Sequence, residues 1–138
     1  MLSYTDVQTF ISNYLTNIGY TPLPVFDPGP GVTVDAIDKA PNQLVILTLT
    51  AGASLDAEQV FDRPAVQVRS IGPQLDYLNA ETLAQDIDKA MVAVDQSQYI
   101  NGKWVLSILR TAGAPQLLLK DDGDRYHFTC NYIWEVVY

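Results

Sequence analysis

The chain has 138 residues, 16 acidic against 8 basic side chains, a single histidine and a formal net charge of −8. That length suits one domain spanning residues 1–138 with a core of its own. The acidity, with basic residues placed singly, argues against a duplex-binding surface, because phosphate neutralisation needs clustered Lys and Arg. A lone cysteine, Cys130, excludes an internal disulfide and a redox pair.

Ser3 and Asp6 have the spacing of an N-cap and an acidic N3 residue. Val7, Phe10, Ile11, Tyr14, Leu15 and Ile18 then recur at threes and fours, which predicts an amphipathic helix over Tyr4–Ile18. Phe10, Ile11 and Leu15 are its expected core residues, and Gly19 is its stop. The N-terminal stretch has neither a basic n-region nor an apolar h-region, so no signal peptide is expected. The longest apolar run, Leu44–Leu49, is too short to span a bilayer, which points to a soluble, cytoplasmic protein with no membrane partner.

Thr21–Gly31 holds four prolines and two glycines and reads as an irregular surface connection. Its GPG lacks the lysine and hydroxyl of a phosphate loop. Asn42–Thr50 is a continuous β-rich run expected to be buried on nearly both faces. A small-residue break over Ala51–Glu58 follows, then Ala65–Ile71 alternates, with Val66 and Val68 on one face and Gln67, Arg69 and Ile71 on the other. The two runs should pair antiparallel across a loop of roughly a dozen residues, longer than an ordinary hairpin connection. In Phe61-Asp62-Arg63-Pro64, proline holds Arg63 extended. An aromatic beside an arginine suits a protein–protein contact; a local Asp62–Arg63 turn is the plainer alternative.

A second helix is expected from about Ala80 to Val94, started by Asp76 or Asn79. Leu83, Ile87, Met91 and Val94 face inward, and Glu81, Asp86 and Asp88 lie toward the outside. Asn101-Gly102 is a turn. Trp104–Thr111 is a strand, Gln116–Lys120 a shorter one, and Asp121–Asp124 a turn that joins the latter to the last strand as a hairpin. That last segment, Arg125–Tyr138, alternates throughout. Tyr126, Phe128, Cys130, Tyr132, Trp134, Val136 and Tyr138 share one face; His127, Thr129, Asn131, Ile133, Glu135 and Val137 share the other. At ~3.3 Å per residue it would extend about 45 Å, long enough to be the central member of the sheet. The element order predicts an α+β fold: one antiparallel or mixed sheet with two helices packed on one face.

No stretch signals catalysis. The Asp121, Asp122, Asp124 cluster lacks EF-hand spacing and reads as a solvated turn rather than a calcium loop. His127 reads as a lone polar strand residue. Ser54, Ser70 and Ser107 stand in no nucleophile-elbow context. Cys130, on the apolar face, reads as a small buried hydrophobe. The aromatic face of the last strand has only Arg125 near it, so core packing is favoured over a base-stacking platform. Tyr126 and Tyr138, at the strand ends, are freer to enter an interface. No enzyme activity, cofactor or metal is expected.

Three blocks, FDRPAVQVRSIGPQLDY (Phe61–Tyr77), the helix AETLAQDIDKAMV after it, and GDRYHFTCNYIWEVV (Gly123–Val137), resemble the tailed-bacteriophage minor capsid and tail terminator proteins. In that family an RP-x-VQVR strand leads through a short turn into a helix, and the chain ends on an R-[YF]-x-F-x-x-N-[YF] strand. The resemblance implies a virion protein assembled in the host cytoplasm. It implies a homo-oligomeric ring, typically of six subunits, that caps the tail tube and meets the tail tube protein and the head connector protein. DNA would pass through the lumen without specific binding. Carried onto this chain, Phe61, Arg63, Arg69, Tyr126 and Tyr138 become oligomer-interface candidates, and Gly52–Asp62 and Pro22–Gly31 candidate contact loops. Other head–tail joining or minor capsid roles fit the same residues. A small cytoplasmic domain binding a ligand or peptide is the alternative of a different class, and would be a stable monomer with a pocket.

Overall fold

A computed structural model describes residues 2–20, 25–26, 43–50, 61–111 and 113–137. Its elements in chain order are α1 (Tyr4–Asn17), β1 (Val25–Phe26), β2 (Leu44–Thr50), β3 (Phe61–Asp62), β4 (Ala65–Gln74), α2 (Tyr77–Val92), β5 (Gln98–Ile100), β6 (Lys103–Arg110), β7 (Gln116–Lys120) and β8 (Arg125–Val137). The strands form one sheet in the order β1-β2-β4-β8-β6-β5, with β3 and β7 also paired to β8. Every described pairing is antiparallel except β1 with β2. The fold is α+β, as the element order predicts.

The 13-residue β8 is central because of its length. One edge pairs with β4 along Arg125–Ile133 and with β3 at Val136–Val137. The other pairs with β7 along Tyr126–Thr129 and with β6 along Tyr132–Val136. Four strands are thus held by one, and the strict alternation of β8 fixes which face each presents. Cys130, Tyr132, Trp134 and Val136 enter the main core with Val45 and Leu47 of β2, Val66 and Val68 of β4, and Val105 and Ile108 of β6.

Both helices close that same core. Val7, Ile11 and Leu15 come from α1, and Leu83, Ile87 and Met91 from α2. Phe10 is only half-buried and packs edge-on against Trp134, with ring centroids 5.5 Å apart. Leu44 and Ile46 point to the opposite face and bury against Ile71, so β2 is covered on both sides as its unbroken apolar run requires.

The cap at α1 forms as its sequence predicts. Ser3 Oγ accepts from the Asp6 amide, and Asp6 Oδ2 accepts from the Ser3 amide at 2.8 Å. Asp76 caps α2, so that helix starts three residues before Ala80 and ends at Val92. Gly72 explains how α2 can lie so close to β4. A Cβ built there would fall 2.5 Å from the Cα of Ala80, and closer still to its Cβ.

Two short strands were not expected. Val25–Phe26, inside the proline-rich stretch, runs parallel to β2, and the rest of Pro22–Gly31 lies outside the described residues. Phe61–Asp62, expected as the end of a loop, instead continues the sheet beside β8; residues 51–60 lie outside the described residues. A third addition is β5, which makes Asn101-Gly102 the tip of a hairpin. Both tip residues have positive φ, 50° and 80°, the backbone that a two-residue hairpin turn needs and that Asn-Gly supplies readily.

Candidate interaction surfaces

Three carboxylates organise the polar interior, Asp6 and Asp88 buried and Asp121 half-buried. Asp6 receives Asn101 Nδ2 at 2.7 Å and Lys103 Nζ at 2.9 Å, which ties the start of α1 to the β5–β6 hairpin. Burial would raise its pKa, but the bonds from Ser3, Lys103 and Asn101 outweigh burial and hold it at about 2. Asp88 receives the Tyr132 hydroxyl and Arg110 Nη1, each at 2.7 Å. It is buried, not on the outer side of α2 as its charge suggests. The Tyr132 phenol is pushed well up, first by burial and then by its bonds with Cys130 and Asp88.

The third carboxylate is Asp121. Its Oδ1 caps the β7–β8 turn, accepting from the Gly123 and Arg125 amides at 2.9 and 3.0 Å. Its Oδ2 takes Arg125 Nε at 3.0 Å and His127 Nε2 at 2.8 Å. The turn is present, but Asp121 is folded inward rather than solvated. His127 is likewise no lone polar residue: it is fully buried, between Asp121 and Arg69. Arg69 Nε lies 3.0 Å from His127 Nδ1. Guanidinium can only donate, so Nδ1 must accept and the ring proton must sit on Nε2, facing Asp121. Burial lowers the pKa of His127, and Arg69 and Arg125 push it down further against the upward pull of Asp121. Burial would raise Asp121, yet the bonds from His127 and Arg125 hold it at about 2.

This Arg69–His127–Asp121–Arg125 chain resembles a catalytic relay only in composition. The imidazole has both nitrogens occupied by fixed partners, and no hydroxyl or thiol nucleophile is bonded to it. Its chemistry is that of a lock between β4, β8 and the β7–β8 turn. Among the described residues no cluster of His, Cys, Asp and Glu could hold a metal ion.

The interface candidates fall in different settings. Arg63 lies 3.6 Å from Glu135 on β8, with its side chain 42% exposed. Arg69 is half-buried and donates within the chain. Tyr126 is half-buried, with its ring edge-on to Tyr77 at 5.1 Å. Phe61 is placed in β3, and Tyr138 lies outside the described residues.

Two exposed surfaces, one apolar and one uncharged but mixed, were not among the candidates. Every residue of β7 is exposed, including Leu117, Leu118 and Leu119, and among the described residues β7 pairs with β8 alone. Exposed Leu75, Tyr77 and Leu78 lie nearby: the Leu75 amide donates to the Asp124 carbonyl at 2.8 Å, and Tyr77 packs on Phe128, which stands opposite Leu117. The other surface is a groove of about 330 Å³ between α1 and β5. Beside it, Tyr99 and Trp104 stack with centroids 4.1 Å apart while 64% and 41% exposed. The signal for β7 was available: three leucines in five residues leave no polar alternate positions for a solvent face. The groove joins residues about ninety positions apart, which no local pattern links.

Among the described residues no helix is long and apolar enough to cross a membrane. No curated protein matches the chain. Among solved structures, a chain from the virion of a native gene transfer agent particle is similar with a TM-score of 0.63 and 12% identity, over 96% of this chain and 92% of that one. A second solved chain gives a TM-score of 0.56 and 19% identity over 100% of this chain and 98% of that one. At those identities the likeness is one of fold. The model of a protein family, the bacteriophage tail terminator proteins, matches residues 14–138, which takes in α2 and all eight strands. The chain belongs to the bacteriophage tail terminator protein family and is a structural component of the phage tail.

Proposed function

We propose that the chain ends the phage tail as a homo-oligomeric ring, of six subunits, that caps the tail tube and joins it to the head connector. The observation that carries this reading is the family match over residues 14–138. A ring of identical subunits needs two unlike, complementary patches on each, and the β7 surface and the α1–β5 groove are two such unlike patches. A net charge of −8 suits a lumen through which DNA slides without sticking. The ring is assembled in the host cytoplasm and carried in the virion, and its work is mechanical rather than catalytic.

The test is native mass against concentration, by light scattering after size exclusion, with negative-stain images of the large species. A closed ring of six with a central hole is expected. A chain that stays monomeric up to millimolar concentration, or a monomer that binds a small molecule in the α1–β5 groove, would overturn the reading.

A further inference from the structure

We infer that the β7 edge of one subunit docks into the α1–β5 groove of the next copy, so that these two patches form the junction of the ring. The inference rests on the ring reading above and specifies which surfaces meet. Copies of a protein with net charge −8 repel one another, and surfaces without charge are brought together at the least electrostatic cost. The groove is such a place. It is lined by Phe10, Asn13, Tyr14, Gln98, Tyr99 and Asn101 among others, and no lining residue carries a charge.

The β7 strand matches it. Its one charge, Lys120, is at its end and already lies 3.6 Å from Asp124. Leu117, Leu118 and Leu119 are 48%, 49% and 38% exposed, so the hairpin presents apolar side chains on both its faces. A register shift between Leu117 and Leu119 throws Leu118 out of the regular alternation. The outer edge of the strand also offers backbone N–H and C=O groups. The groove can answer both demands, with Phe10, Tyr14 and the stacked Tyr99 for the leucines and the amides of Asn13 and Gln98 for the backbone. One surface protrudes and the other recedes, and they belong to different elements of the same chain. The contact is therefore head-to-tail, the kind that a ring requires, with the rotation between successive copies deciding closure.

The experiment uses two variants at exposed positions, Leu118→Asp on the strand and Asn13→Arg in the groove, each checked for an unchanged melting temperature. A third, Leu118→Ile, keeps the apolar strand. Light scattering should show each of the first two assembling only at concentrations about tenfold or more above the unaltered chain, since central apolar anchors carry most of an interface. Leu118→Ile should assemble normally. Mixing Leu118→Asp with Asn13→Arg restores one intact junction per pair and sets a carboxylate opposite a guanidinium at the other, so the mixture should assemble at lower concentration than either variant alone. Rings that persist in both variants would overturn this docking and leave the ring reading standing. Normal assembly of Asn13→Arg with loss in Leu118→Asp would also overturn it, in favour of strand-to-strand pairing. An unaltered chain that is monomeric at millimolar concentration would overturn both. As a readout independent of folding, Leu118→Cys combined with Gln98→Cys should yield a disulfide-linked ladder under oxidation, and absence of the ladder in assembled rings would count against the contact.

Discussion

Replacing Asp121 with asparagine tests the lock behind the β7–β8 hairpin. Asp121→Asn keeps shape and volume but removes the charge that faces Arg125 and His127, and it sets an amide donor among groups that also donate. The ordinary carboxylate value of 3.8 falls to about 2 in the fold. A group with a depressed folded pKa contributes stability above its unfolded value and loses it as pH falls through the folded one. Nearly two pH units at 1.36 kcal/mol each amount to about 2 kcal/mol at pH 7. Roughly half should remain at pH 3. Urea midpoints of the two proteins between pH 7 and pH 2.5 should therefore differ by about 2 kcal/mol at neutrality and converge toward acid, where protonated Asp121 and its amide isostere are nearly equivalent. His127 adds an earlier acid loss to both proteins, a deeper one in Asp121→Asn because the Asp121 charge pulls the His127 pKa up. Its folded pKa lies below 6.5, so stability should begin to fall as pH drops under 6.5, when a second ring proton would oppose Arg69. A gap between the two proteins that stays constant over the whole pH range would refute the charge assignment at Asp121.

Gly72→Ala should cost about 2–3 kcal/mol in denaturant unfolding, because the new methyl meets helix backbone 2.5 Å away and not a side chain that can turn aside; Ala80→Gly should rescue it only in part. Asp88→Ala should cost about 3 kcal/mol, since it leaves the buried Tyr132 hydroxyl without its acceptor and removes the partner of Arg110; a loss under 1 kcal/mol would mean that water replaces the carboxylate. Asp6→Ala should cost about 2 kcal/mol at pH 7, with the difference fading between pH 4 and pH 2, because the Ser3 amide loses its carboxylate acceptor and Asn101 and Lys103 lose theirs. Arg63→Glu and Arg69→Glu should behave differently: the second melts early because Arg69 is bonded to buried His127, while the first, which sets a carboxylate beside Glu135 at the surface, should cost only about 1 kcal/mol in the melt.

The main elements were legible because their signals are local. The alternation of Arg125–Tyr138 gives β8 and its two faces, the Ser3–Asp6 spacing gives the α1 cap, and Val66 and Val68 point into the core as their strand period requires. The misreadings share one cause. Asp88 and Asp121 were assigned to solvent and His127 read as a lone polar strand residue on the strength of their polarity, and each is drawn inward by partners 22 to 58 positions away or across a turn. One warning was present for Asp88. It stands four residues after Ala84 and three before Met91, which places a carboxylate on an apolar helical face. A charge at such a position should be read as a search for a partner, and Tyr132 and Arg110 are the partners found. No comparable hint existed for His127, because Arg69 reaches it through strand pairing rather than sequence spacing.

The placement of these polar groups bears on how a subunit can join others. Asp6 ties the β5–β6 hairpin to the start of α1, and so steadies one wall of the groove against the other. Asp121 and His127 fix the β7–β8 turn to β4, and so hold the exposed strand at a set angle to the sheet. The two surfaces proposed to meet are therefore each backed by a buried ionic anchor. A preorganised surface loses less conformational entropy on docking than one that must order itself. The anchors should then act on assembly as well as on folding. At pH values low enough to protonate Asp6 or Asp121 but still above global unfolding, subunits should separate while their helices remain intact, and far-ultraviolet dichroism beside light scattering would show the two events at different pH. Dissociation that always coincides with loss of helix would mean that the anchors serve the fold alone.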